Sequence, residues 1–338
     1  MTGIEDVARE VGVSTATVSR ALRGLPRVSP GTRERVRTVA AEMGYVASAH
    51  AASLAGGRTH AIGCVVPNVT RWFFGSVVHG AEELLRREGY DLLLYSVTGE
   101  PAARERLFST HLLGKRVDAV MVLALRPTPE EIAWLERTGS PTVVVGGAVP
   151  GWSSVRIDDV ETAGDAVRHL VGLGHRRIAH LGGVPDPEHA GLDFSTPGDR
   201  LLGYRTAMAE AGLPVEAGWE ATGDFTALGG HTAARRVLEA PTRPTAIFAG
   251  SDEMAIGATH AVREAGLRVP EDVSVIGIDD HELAAYFDLT TMAQPAAELG
   301  RLGAGVLLEA LRSPAPLPTV ETIVATELVV RGTTAAPA

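Results

Sequence analysis

The 338-residue chain has a single cysteine, Cys64, a single lysine, Lys115, and few aromatics, 5% of the total. One thiol can close no disulfide within the chain and cannot build a cysteine-rich metal site, and its place in the apolar run AIGCVV reads as a small core residue. The preference for arginine over lysine is read as codon bias. No apolar run approaches the roughly 20 residues that cross a bilayer. The opening MTGIEDVAREVG lacks the basic-then-apolar pattern of a secretory signal, so the expectation is a cytoplasmic protein with no membrane partner. No His/Cys set stands at metal-ligand spacing, and Gly182-Gly183 is followed by VPDP without the Lys-Ser/Thr of a phosphate loop. The run Asp279-Asp280-His281-Glu282 does not change this, because neighbours at i and i+1 do not converge on one ion. No metal, no cofactor and no enzyme activity are therefore expected.

The charge that is present is unevenly spread. The chain carries a formal net charge of −10, yet residues 1–60 hold eight arginines against five acids, a net +3, which leaves −13 on the rest. A basic head on an acidic body is what a protein needs when only its head must approach a polyanion. At roughly 100–200 residues per domain, a chain of this length should contain two or three units.

Within the head, Thr2 followed by Glu5 reads as a capping-box start, after which Ile4, Val7, Ala8 and Val11 line one face of a short helix that Gly12 ends. Ser14 caps a second helix with Val18 and Leu22 inward. Ser29-Pro30 supplies the cap and first position of a third, with Val36, Ala40 and Met43 inward. Three short helices with a tight glycine turn between the first two make a helix-turn-helix. Its second helix enters the major groove N-terminus first, so Thr15, Ala16 and Arg20 would meet base edges. Arg20 can form the bidentate pair to guanine O6 and N7, Thr15 offers a hydroxyl, and Ala16 offers a methyl for a thymine contact. Ser14, Thr17, Ser19 and Thr32 can donate to phosphates and so set register.

From Ala61 onward, short apolar runs alternate with helical periods: AIGCVV, Phe73 to Glu88, DLLLYS, Arg104 to Leu113, DAVMVLAL, PTVVVGG and SVRIDD. After a helix at Val160–Leu173 the pattern restarts with RRIAHLGG, GWEATGD, PTAIFAG and DVSVIGIDD, and TTMAQPAAELGRLGAGVLLEAL adds one more strand and helix. Two consecutive series of strands predict two doubly wound parallel-sheet lobes, with a ligand cleft beyond the strand ends between them.

The run IEDVAREVGVSTATVSRALRG, followed by VSPGTRERVRTVAAEMGY, resembles the DNA-binding head of the LacI/GalR repressor family. The resemblance continues through LGHRRIAHLGG at 173–183, RLLGYRTAMAEAGL at 200–213, SDEMAIGATHAVREAGLRVPEDVSVIGIDD at 251–280 and LTTMAQP at 289–295. It implies a lambda-repressor-like helix-turn-helix head over 1–46, a hinge and linker over 47–59, and a type I periplasmic-binding-protein-like body over 60–331 that binds effector and dimerises. The residues 332–338 are left as a tail, and no C-terminal tetramerisation helix is expected. The resemblance implies further that AASLAG at 51–56 becomes a helix on DNA and that Leu54 wedges into the minor groove. It places Trp72 and Phe73 at the cleft mouth, makes Arg200 an effector-gripping arginine and Phe225 a stacking aromatic, and sets Ser251, Asp279 and also Asp280 at strand ends facing the ligand.

Three departures from the family stand out: Ser48 where asparagine is frequent, Ala52 where arginine is frequent, and Gly146 where many sugar-responsive members are acidic. The segment before Arg200 is longer than usual, which makes Glu188, His189 and Asp193 further candidates. Read on their own, Asp279 also fits a turn cap, Arg200 a surface ion pair and Phe225 plain core. The expected partners are a pseudo-palindromic duplex operator, a second copy of the chain and a small effector. A carbohydrate is the first choice of effector, with a nucleobase, a metabolite acid and no effector left open. The rival reading is a small-molecule-binding protein or enzyme on the same α/β fold with an idle head.

Overall fold

The computed structural model describes residues 2–22, 24–45, 58–97, 104–105, 107–108, 112–183 and 195–338. The chain divides into two units, Met1–Ala61 with Arg116–Asp118 and Ile62–Lys115 with Ala119–Ala338. The hinge segment with Ser48, Ala52 and Leu54, and the candidates Glu188, His189 and Asp193, lie outside the described residues.

The first unit contains helices α1 (Ile4–Val11), α2 (Thr15–Leu22) and α3 (Pro30–Glu42), closed around Val7, Val11, Val18, Ala21, Val36 and Ala40. The cap of α1 forms one residue later than the Thr2/Glu5 box: Gly3 N–H donates to Asp6 Oδ2 at 2.9 Å. Thr2 is taken instead by tertiary structure, its Oγ1 donating to Met43 O at 3.1 Å at the end of α3. Gly12, at φ +75°, makes the turn into α2 in a conformation that costs glycine nothing sterically. Ser14 Oγ accepts the Thr17 N–H and Ser29 Oγ accepts the Thr32 N–H, each at 3.1 Å, with Pro30 in the first helical position of α3.

Beyond the head helices the chain runs β1 (Ala61–Val66), α4 (Trp72–Arg87), β2 (Asp91–Ser96), α5 (Leu112–Arg116), β3 (Ala119–Leu123), α6 (Pro129–Thr138), β4 (Thr142–Val145) and β5 (Ser153–Arg156). It continues with α7 (Asp159–Gly172), β6 (Ile178–Gly182), α8 (Thr196–Glu210), β7 (Glu220–Thr222), α9 (Ala227–Leu238), β8 (Ala246–Ala249), α10 (Asp252–Glu264), β9 (Ser274–Asp279) and β10 (Thr290–Ala293). It ends with α11 (Ala296–Arg312), β11 (Glu321–Ile323) and β12 (Glu327–Val329). The strands form two six-stranded sheets, in the orders β11-β5-β4-β3-β1-β2 and β12-β10-β9-β8-β6-β7. Strands β1, β3, β6, β8 and β9 are buried along their whole length, as continuous apolar runs covered on both faces should be. Cys64 is one of these core residues, and burial pushes its thiol up to about 12.

The lobes are not two consecutive halves of the sequence. The chain passes to the second lobe after β5, and α11 then returns to the first, where Leu299, Leu307 and Leu308 join the core of β1, β3 and β4. Strand β11 pairs with β5 in the first sheet, and β12 crosses back to pair antiparallel with β10. The return works because α4 and α11 touch backbone to backbone. A Cβ at Gly80 would stand 1.8 Å from Ala297 O, and one at Gly300 would stand 1.9 Å from Val77 O.

The segment after Arg331 is laid along the second lobe and does not hang free. Val275 N–H donates to Thr333 O at 2.8 Å, Thr290 N–H donates to Thr333 Oγ1 at 2.9 Å, and His175 Nε2 lies 2.8 Å from Ala335 O.

Candidate functional site

On the head, the described residues expected to meet DNA sit on α2, at its cap Ser14 and on the first turn of α3, with Arg20 in the last turn of α2. Thr15, Ala16 and Arg20 are exposed, while Thr17 and Ser19 are half-buried. Ser14 and Thr17 hydroxyls lie 2.9 Å apart, and those of Ser29 and Thr32 lie 2.8 Å apart, so the helix caps themselves present hydroxyls at two N-termini. Such positions suit phosphate oxygens, since unpaired N–H groups and the helix dipole point the same way.

In the body, each sheet reverses its winding between β1 and β3 and between β6 and β8, and ligands of open α/β sheets sit beyond strand ends at such switch points. The loops there meet across the lobes. Arg71, just after β1, donates from Nη1 to Phe225 O at 2.9 Å and pairs with Glu253 Oε2 at 3.2 Å. The Trp72 indole lies 5.1 Å from the His281 imidazole, centroid to centroid. Among the described residues, five of the eight non-glycine positions with positive φ follow or end strands here: Ala124, Asp224, Phe225, Asp279 and Asp280. Each costs on the order of 1–3 kcal/mol and persists only where the surroundings enforce it, which is common at ligand sites.

Arg200, on α8, is buried. Its Nε donates to Asp159 Oδ1 at 2.7 Å, its Nη1 donates to Gly250 O, and Thr196 Oγ1 reaches Asp159 Oδ2 at 3.4 Å. It is thus an interior ion pair rather than a surface one. Burial pushes the Asp159 carboxyl up, and the Arg200 charge opposes that shift. Ser251 caps α10, its Oγ accepting the Met254 N–H at 3.3 Å. Asp279, at the end of β9, accepts Gln294 Nε2 at 2.5 Å and the Asp252 N–H at 3.4 Å. Asp280 is engaged by Arg331 at 2.7 Å.

Trp72 and Phe73 form the first turn of α4, both half-buried. Phe73 explains the missing acid at Gly146: with φ +75° there, a Cβ would lie 3.3 Å from the Phe73 ring, which occupies that space. Phe225 is half-buried, its ring 2.8 Å from where a Gly183 Cβ would stand.

The sequence reading singled out neither Asp159, Asp252 and Gln294 nor the clasp residues Arg71 and Glu253. Asp252 is wholly buried, its Oδ1 accepting Thr291 Oγ1 at 2.7 Å and its Oδ2 accepting the His281 N–H at 2.9 Å. Burial, with the neighbouring Asp279 charge, pushes Asp252 up to about 8, and burial pushes Asp279 up to about 6.

Between about pH 4 and pH 8 the folded chain therefore holds protons that the unfolded chain has released, so this pair makes stability fall as pH rises through that window. The expected slope is on the order of 1 kcal/mol per pH unit, read from urea unfolding at a series of pH values. Asp252→Asn should flatten it, and an unchanged slope in that variant would remove the pair as its source.

Among the described residues no helix is long and apolar enough to cross a membrane. Residues 3–48 match the family described as bacterial regulatory proteins, lacI family, and residues 167–334 match the periplasmic binding protein-like domain. The ribose operon repressor of Escherichia coli (strain K12) is 38% identical over 319 residues, 93% of this chain and 94% of that protein. The lac repressor dimer, solved bound to operator and the anti-inducer ONPF, superposes with a TM-score of 0.86 at 28% identity, covering 99% of each chain. The cellobiose complex of the transcriptional regulator CelR gives 0.73 at 32% identity, covering 98% of this chain and all of that one. These relatives are transcription regulators and not enzymes. With a helix-turn-helix head, two doubly wound lobes and relatives matched over nearly its whole length, the chain belongs to the lacI family of bacterial regulatory proteins.

Proposed function

We propose that this chain is a cytoplasmic, homodimeric repressor that reads a pseudo-palindromic operator through α2 and binds a sugar between its lobes without catalysing any reaction on it. The observation that carries the reading is the meeting of strand-end loops from both lobes around buried Arg200, Asp159 and Asp279. A guanidinium and carboxylates that keep fixed positions suit the donor and acceptor faces of vicinal hydroxyls, and Trp72, Phe73 and Phe225 supply apolar faces for a pyranose or furanose ring. The names of the ribose operon repressor and the CelR–cellobiose complex favour a sugar over the other effectors. The Arg71–Glu253 pair and the Trp72–His281 contact join the two lobes, so a ligand that binds one lobe arrangement better than another shifts the balance between states.

The domain limits that go with this reading are a head over 1–46 and a hinge over 47–59, with Leu54 as the minor-groove wedge. In a two-fold dimer the paired heads span two major-groove half-sites. Arg20→Ala is expected to weaken operator binding by about 1–3 kcal/mol and to relax base preference at one position per half-site. The check is a fixed-salt titration against operator variants; wild-type affinity with wild-type selectivity would overturn the assignment of α2 as the reader.

A further inference from the structure

We propose that His231, on α9, and His260 and Glu264, on α10, form a site for a divalent transition cation of the zinc or nickel class. The sequence gives no hint of it, because His231 lies some thirty residues from the other two and only His260 and Glu264 stand at i and i+4 on one helix face. Packing brings them together. Helices α9 and α10 cross at glycine contacts: a Cβ at Gly257 would lie 1.9 Å from Ala227 O and 2.8 Å from His231 N, and one at Gly230 would lie 2.3 Å from Met254 O. That close approach sets the His231 side chain against the turn of α10 that follows Gly257.

The three candidate ligand atoms lie within 4.8 Å of one another. His231 Nε2 is 2.6 Å from Glu264 Oε2, His260 Nε2 is 3.3 Å from Glu264 Oε1, and the two imidazole centroids are 5.4 Å apart. Donor atoms around a tetrahedral zinc ion with bonds near 2.0–2.1 Å stand roughly 3.3 Å apart, so rotamer adjustment of exposed side chains is enough to close the set. His260 and Glu264 are largely exposed and His231 is one-fifth exposed, so cation and water both have access. Arg235, also near Glu264, is a competing cation.

Two imidazoles with one carboxylate is a donor set that suits zinc, nickel, copper or iron(II), and that magnesium and calcium, which prefer oxygen, leave alone. Ligation needs neutral imidazoles and an ionised carboxylate, so protons compete with the cation at acid pH.

The test is calorimetric titration of the full-length, tag-free protein with zinc chloride and nickel chloride, backed by competition with a chromophoric chelator. One ion per chain is expected, with binding that weakens from pH 8 to pH 6 and no heat from magnesium chloride. His231→Ala and His260→Ala should each lower zinc affinity at least about tenfold, and Glu264→Gln, which keeps the side-chain shape, should lower it as well. Circular dichroism of each metal-free variant separates ligand loss from misfolding. Absence of saturable binding, or undiminished affinity in the His231→Ala/His260→Ala double variant, would overturn the proposal.

Discussion

Alanine in place of Arg200 is expected to destabilise the body by about 3–5 kcal/mol, because it leaves the Asp159 carboxylate buried without its cation. The guanidinium also donates to Gly250 O, so the end of β8 loses a donor at the same time. Asp159 then escapes its penalty only by taking up a proton. The deficit relative to wild type should therefore be larger at pH 8 than at pH 5, since a raised carboxyl costs stability as pH climbs from its unfolded value toward its folded one. Adding Asp159→Asn should restore part of the loss, as removing both members of a buried pair is cheaper than removing one. Urea unfolding of the three proteins at the two pH values reads all of this. A single-variant loss under about 1 kcal/mol, with no recovery in the double variant, would mean that the pair does not stabilise the second lobe.

The second large effect is expected at the contact between α4 and α11. Valine at Gly300 would put a Cβ 1.9 Å from Val77 O, against an ordinary contact near 3.4 Å, so the two helices must part by more than an ångström. Overpacking of this kind against backbone, which no rotamer can relieve, is expected to cost about 3 kcal/mol or more. The loss should be confined to the first lobe, where hydrogen exchange of β1 and β3 would quicken while β8 and β9 keep their protection. Gly305 is on the same helix but faces open space, and Gly305→Ala is expected to leave stability unchanged or raise it by up to about 1 kcal/mol. Equal effects at the two glycines would show that backbone contact is not what docks α11.

What the sequence made legible follows from how far each signal reaches. The caps at Ser14 and Ser29, the turn at Gly12 and the apolar runs of β1 and β3 are local, with periods and short-range hydrogen bonds that need no partner to be recognised. Even there, tertiary structure moved one detail: Thr2 donates to Met43, so Asp6 rather than Glu5 closes the start of α1. The period of α11 marks a helix but not which lobe it covers, and that choice is made by Gly80 against Ala297 and Gly300 against Val77, far apart in the chain. Strands β11 and β12 have three residues each, too short to carry an alternation.

The cleft was legible as a neighbourhood and less so as a network. Arg200 and Asp279 stand out in the sequence, but their partners Asp159 and Gln294 do not, because pairings 41 and 15 residues away leave no mark in either segment. The glycine at 146 answers to a residue far away in sequence, Phe73, whose ring lies against the place of a side chain there.

The central claim is that one ligand, held between the lobes, alters how the head binds DNA. Its most direct test is a fixed-salt titration of the full chain against the DNA upstream of its own gene, with and without each of a panel of sugars and nucleobases. The account predicts tight, footprinted binding to a short palindrome, changed in affinity by a sugar in wild type and unchanged by it in a variant carrying Trp72→Ala. Absence of sequence-specific binding under every condition, or operator binding that no compound alters, would contradict it.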